Sequence, residues 1–296
     1  LVAGDQINNK TLMNSENRMW DWEIGASTSD WNWKIQELWG YRHLLSSLVQ
    51  RTFLLNYQQT VLGPFWTLLQ PLLTLITYML VFGKLVGLST GSVPPILFYF
   101  SGIILWTFFS DCFLGTTNTF RENMHLFSKV YFPRIIMPVS VAVSNFIKLL
   151  IQLSLLFLII LYYRIFENYS VPVTWYFATF PFLVFLVGAL ALGLGLTCSI
   201  ITVKYRDLVN IINIGIRLLM FVTPVIYPLS SIKAGTRWVM ILNPLTPLFE
   251  YFRFCLFGEG IVSPSQMLFS VAFTAIVLVS ALISFNKKGN KLLDIV

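Results

Sequence analysis

Charge is scarce in this 296-residue chain. Asp, Glu, Lys and Arg make up 11% of it, where an ordinary globular domain carries about 25%. So few charged side chains cannot coat a soluble fold of this length. Cysteine is nearly missing as well. Cys112, Cys198 and Cys255 all lie in or beside apolar stretches, where a thiol serves as a small hydrophobe and builds no disulfide framework. Histidine is limited to His43 and His125. Without paired histidines or a C-x-x-C pair, the sequence offers no metal-binding set. No G-x-x-x-x-G-K-[ST] run occurs, so no nucleotide is cradled on a P-loop, and no G-x-S-x-G elbow presents a nucleophile. The first 60 residues show no short apolar core of a cleavable signal.

What is present is apolar. Hydrophobic residues reach 56%, with 26 Phe, 12 Tyr and 9 Trp, and the mean hydropathy is +0.73. At about 20 apolar residues per crossing, the chain has room for roughly six membrane spans. The pattern predicts an all-α membrane protein with spans near 64–86, 95–118, 135–162, 173–202, 208–228 and 266–285. Pro71 inside the first predicts a kink, because proline removes a helix donor and crowds the preceding turn. Gly188, Gly193 and Gly195 in the fourth permit close helix contact. The stretch 238–258 is apolar, but Pro244 and Pro247 break it and Glu250 and Arg253 sit inside it. Irregular backbone at membrane depth is tolerated only when protein or a wet cavity shields it. Residues 230–262 therefore read as an outer loop with short re-entrant or surface helices.

Three regions follow: an accessory arm at 1–30, an amphipathic helical region at 31–62 and the membrane domain at 63–296. The arm mixes charges, and the tryptophan pairs Trp20/Trp22 and Trp31/Trp33 lie in or just after it. Over 34–58, polar residues recur at Gln36, Gly40, His43, Ser47 and Gln50, the period of a helix lying flat at the headgroup level. Arg42 and Arg51 on it could reach lipid phosphates.

The 20 Lys and Arg exceed the 13 Asp and Glu, a net charge of +7. The cations are scattered between apolar blocks, so they read as topology signals and not as a nucleic-acid surface. With six spans and the N-terminus inside, thirteen cations fall inside and five outside. That asymmetry places both termini in the cytoplasm.

Asp111, Lys148 and Arg217 fall within spans, where a charge is costly unless it faces protein or water. Counting rise per residue puts Asp111 and Arg217 within several ångströms in depth, with Lys148 nearer the midplane, and suggests an Asp111–Arg217 pair. One intramembrane carboxylate argues against an ion-coupled carrier. The absence of a carboxylate cluster or D-x-D near the inner face argues against an enzyme of lipid-diphosphate sugars. Trp66, Tyr78, Trp106, Phe108, Phe109, Phe221 and Tyr227 are candidate channel and gate aromatics, since a ring face stacks on the C–H face of a sugar. The segment from Arg121 to Arg134 mixes charge with exposed aromatics, a composition suited to docking a cytosolic partner.

Six collinear runs carry a family resemblance: TVLGPFWTLLQPL (60–72), SGIILWTFFS (101–110), KVYFPR (129–134), VKYRDL (203–208), TPVIYP (223–228) and LNPLTPLFEYFR (242–253). In this order and spacing the chain resembles the ABC-2 type polysaccharide export permeases, above all the O-antigen and lipopolysaccharide subunits called Wzm, with teichoic acid and capsule exporters next. The resemblance runs from about Trp31 to Val296. It implies a six-span half-transporter in the bacterial inner membrane, paired as a homodimer on two copies of a cytosolic ABC ATPase. ATP and Mg would sit on that partner, and this chain would bind no cofactor of its own. It implies that 34–58 is the interface helix and 230–262 the outer gate. Coupling to the ATPase would run through Glu122, Lys129, Tyr131, Phe132 and Arg134. The substrate would be a glycan on undecaprenyl diphosphate, entering between spans 1 and 5, with Arg42 and Arg51 candidates for the diphosphate. The chain departs from the family pattern at Asp111, Lys148 and Arg217. A small-molecule exporter of the same superfamily is the alternative within transport.

Overall fold

The computed structural model describes residues 39–123, 132–169, 175–232 and 234–292, all within one compact unit, 34–296. The arm at 1–30, and Lys129 and Tyr131 of the coupling segment, lie outside the described residues. Among the described residues every regular element is helical. Helix α1 covers Arg42–Tyr57. Helix α2, Trp66–Tyr78, follows a tight turn at Gly63–Phe65 and widens into a π-helical turn at Met79–Leu85. Then come α3 (Pro95–Glu122), α4 (Ile136–Phe166), α5 (Phe180–Lys204) and α6 (Leu208–Val222). Two short helices, α7 (Ala234–Leu242) and α8 (Leu245–Phe257), lead to α9 (Pro264–Leu292).

Among the described residues, five helical stretches are long and apolar enough to cross a bilayer: Gly63–Leu85, Pro95–Glu122, Ile136–Phe166, Tyr176–Lys204 and Pro264–Lys287. The sixth apolar segment, α6, has 15 residues. At 1.5 Å per residue it spans about 22 Å, short of the ~30 Å hydrocarbon core. The chain leaves helical geometry at Thr223, whose ψ is 141°, and the turn Thr223–Pro228 follows.

Burial ranks the helices. In α3, 78% of the most apolar window is buried, against 17% for Gly63–Leu85 and 22% for α4 and for Pro264–Lys287. The central helix is therefore α3, and the outer ones keep apolar faces such as Ile76, Leu80, Phe157, Leu158 and Ile276 exposed, as lipid or a second protein surface requires. Glycines let helices approach closely. A Cβ on Gly195 would sit 2.6 Å from Thr116 of α3, and one on Gly193 would sit 3.1 Å from Leu278 of α9. These two residues, near neighbours in sequence, face different partners, so α5 is clasped between α3 and α9 through small residues. Helix α1 joins the bundle through Leu48, which packs with Phe132, Ile136 and Met137 at the start of α4.

Candidate functional site: a polar crevice and a buried ion pair

Proline chemistry opens the first site. Pro71 has no N–H, so the Thr67 carbonyl one turn earlier loses its helical donor. A carbonyl stranded in the membrane must find another partner. It accepts from Gln152 Nε2 of α4 at 3.2 Å. The neighbouring Thr67 hydroxyl meets the Tyr57 hydroxyl of α1. Polar groups thus tie α1, α2 and α4 together where lipid would otherwise exclude them.

Beside this tie lie two hollows of about 250 and 260 Å³. The first is walled by Thr52, Glu122, Asn123, Ser144 and Asn145. The second is walled by Tyr57, Trp66, Gln70, Thr74, Thr107 and Gln152. Asp111 and Lys148 line both. On α3 the wall residues Thr107, Asp111, Gly115, Thr119 and Glu122 recur every three or four positions, which places them on one face. Lys148, on the adjacent α4, shares both of these walls with Asp111. This corrects the Asp111–Arg217 pair expected from depth. Arg217 is exposed on α6, because equal depth says nothing about which way a helix face points.

The second site joins three of the sequence runs. Arg253 and Glu250, one turn apart on α8, are 3% exposed each, and Nη1 lies 3.6 Å from Oε1. Arg253 Nη2 donates to the Val225 carbonyl at 2.7 Å, and the guanidinium carbon lies 3.8 Å from the Phe98 ring centre. The two Glu250 oxygens accept from the backbone N–H of Leu229 at 3.2 Å and of Ile261 at 3.1 Å. Burial pushes the Arg253 guanidinium down to about 10, with Glu250 opposing the shift, so it stays charged at neutral pH. Gly102 of α3 is the floor: a Cβ there would lie 2.4 Å from the Val225 oxygen. Asn243 closes the same layer, donating to Thr223 Oγ1 at 2.9 Å and accepting from Leu245 N–H at 3.0 Å.

The other sequence candidates scatter. Trp106, Phe108 and Phe109 are buried inside the chain, with the Trp106 ring 5.7 Å from Phe109 and 6.4 Å from Phe249. They present no ring face to a passage outside it, a correction that follows from α3 being central. Trp66 and Phe221 are exposed. The Tyr78 hydroxyl donates to Met220 sulfur at 3.3 Å, tying α2 to α6, and the Tyr227 hydroxyl donates to the Phe221 carbonyl at 2.5 Å. Arg42 and Arg51 are both exposed on α1, but nine residues at 100° each put them on opposite sides of the helix, so they do not converge on one ligand. Of the coupling candidates, Glu122 is exposed at the end of α3, Phe132 is buried against α1 and Arg134 is half-buried.

Sequence reasoning missed Gln152, Thr67, Glu250 and Arg253 as partners. Pro71 was the available signal for the first two, since it leaves a particular carbonyl unpaired. For the other two, the signal was a pair of charges at i and i+3 inside an apolar run.

The family model for ABC-2 type transporters matches residues 43–257, from α1 to the end of α8. The chain is 31% identical over 249 residues to the O-antigen export system permease protein RfbA of Myxococcus xanthus, covering 83% of this chain and 92% of that protein. It is 23% identical to an RfbA permease of Klebsiella pneumoniae, covering 82% and 91%. It is 21% identical to the polysialic acid transport protein KpsM of Escherichia coli, covering 78% and 88%. The match takes in both the crevice and the ion-pair layer, and with it this chain belongs to the ABC-2 type transporter family.

Proposed function

We propose that this chain is the membrane permease of an ATP-driven exporter that moves a lipid-linked, O-antigen-like polysaccharide out of the cytoplasm. The observation that carries the reading is the 31% identity to an O-antigen export permease, over 83% of this chain and 92% of that one. In this reading the sixth crossing is α6 together with the turn Thr223–Pro228. Layer α7–α8 lies at the outer side, α1 lies along the inner side, and both termini are cytoplasmic. Two copies pair around the glycan path and sit on two copies of a cytosolic ATPase, which holds ATP and Mg. Exposed aromatics at the edge of α2 and α6, Trp66 and Phe221, suit that path better than the buried Trp106, Phe108 and Phe109.

Coupling is assigned to Glu122, Lys129, Tyr131, Phe132 and Arg134. Movement of that segment reaches α1 and α4 through Phe132, because packed helices shift as rigid bodies. Arg42 or Arg51 meets the lipid diphosphate, one of them per ligand. A capsular glycan is the second reading, favoured by the likeness to a polysialic acid transport protein.

The test is deletion and complementation in the source bacterium. Loss of surface glycan, with lipid-linked glycan trapped inside, is the expected result. Restoration should need this chain and an active ATPase partner. Unchanged surface glycan in the deletion strain, with no rise of the internal pool, overturns the reading.

A further inference from the structure

We propose that the crevice between α1, α2, α3 and α4 is a subsite for one uncharged sugar ring of the transported glycan, with Asp111 and Lys148 at its polar centre. This rests on the reading of the substrate as a glycan, and adds a place within each protomer where the sugar is held.

Size comes first. The hollows, about 250 and 260 Å³, fall just under the ~300–1,000 Å³ of pockets that enclose drug-sized ligands, so each suits a single ring. Charge comes second. The first hollow carries Asp111 and Glu122 against Lys148 and the second carries Asp111 against Lys148, so neither has the excess of cations that phosphate and diphosphate need. Arg42 and Arg51 line neither hollow. The crevice therefore differs in chemistry from any site for the lipid head.

Hydrogen-bonding capacity comes third. A sugar hydroxyl both donates and accepts. Asp111 accepts, Lys148 donates, and the Asn145 amide does both. Neighbouring hydroxyls of one ring need this mixture, whereas a simple anion or cation needs one half of it. Trp66, 43% exposed and on the wall of the second hollow, supplies the aromatic face that packs on ring C–H groups. Finally, ionisable residues set inside a span mark substrate paths more often than scaffolding. The scaffold tie in this crevice is Gln152 to the Thr67 carbonyl, which uses neither charge.

The experiment is saturation-transfer NMR on the purified permease–ATPase complex in detergent. Galactose, mannose, rhamnose and N-acetylglucosamine serve as separate probes. At least one should receive saturation at its ring protons. Affinity should fall roughly tenfold, or about 1.4 kcal/mol, in the double variant Asp111→Asn/Lys148→Gln. Thr74→Phe, which fills the second hollow and leaves both charges in place, should do the same. Arg217→Gln should change nothing. No transfer from any probe overturns the subsite, and so does equal transfer in wild type, the double variant and Thr74→Phe. A complex that binds sugar in this way but drives no glycan export in vesicles overturns the transport reading and leaves the subsite standing.

Discussion

Glu250 and Arg253 are neighbours on one helix, whereas Asp111 and Lys148 come from two. The first pair is sealed. Its carboxylate accepts two backbone N–H groups and its guanidinium reaches a backbone carbonyl and a ring. The second pair is half-buried on the walls of two hollows. Both pairs sit where charge is expensive. One is buried and bonded to the backbone of the segments around it, and the other lines open hollows. The contrast separates a charge pair that holds backbone segments together from one that can meet a ligand.

The strongest way to break this contrast is Arg253→Met. It leaves Glu250 buried without its cation, a change worth about 3–5 kcal/mol. The variant should fail to elute as a folded species in detergent. Substituting both partners, Glu250→Gln with Arg253→Met, should recover part of the loss. Normal elution and unfolding of the single variant would mean that the sealed pair holds nothing.

Gly102→Ala tests the same layer from α3. The added methyl meets the Val225 oxygen at 2.4 Å and Arg253 Nη2 at 2.9 Å, and overpacking of this kind costs about 1–3 kcal/mol. Gly215→Ala on α6 has open space around its Cβ and should be neutral or slightly stabilising. In unfolding titrations in mixed micelles only Gly102→Ala should lower stability.

Gln152→Leu should cost about 1–3 kcal/mol by leaving the Thr67 carbonyl unpaired. In a Pro71→Ala background the same change should cost less, because the restored N–H takes over that carbonyl. A double-mutant cycle reads the difference, and strict additivity would sink the account of Pro71.

Among the charge substitutions the smallest stability effect belongs to Asp111→Asn, under about 1 kcal/mol, because a half-buried group on the wall of an open hollow loses little on neutralisation. Glycan export should nevertheless fall. A variant that unfolds like Arg253→Met would erase the distinction between the two pairs.

Much of the architecture is legible in the residues. Apolar blocks of span length, broken by Pro-Pro or Gly-Pro, mark the long helices, since hydrophobic run length and proline act locally. The short, broken helices between α6 and α9 are foreshadowed by Pro244, Pro247 and two charges in an apolar run. The candidate site was less legible. Depth arithmetic paired Asp111 with Arg217, and the structure instead places Asp111 on the walls of two hollows that Lys148 also lines. Aromatic density suggested a channel at Trp106, Phe108 and Phe109, where the structure puts core.

Sequence alone determined the solvent of this protein, the helical class and the family, because composition, periodicity and motif order depend on the chain and not on its folding partners. Tertiary structure decided which face of each helix meets which neighbour. That orientation made α3 the core, turned Arg217 outward, brought Gln152 to the carbonyl that Pro71 left open and set Asp111 beside Lys148. Facing is a property of pairs of helices, set by small residues such as Gly193 and Gly195 at their contacts, and no single helix carries it.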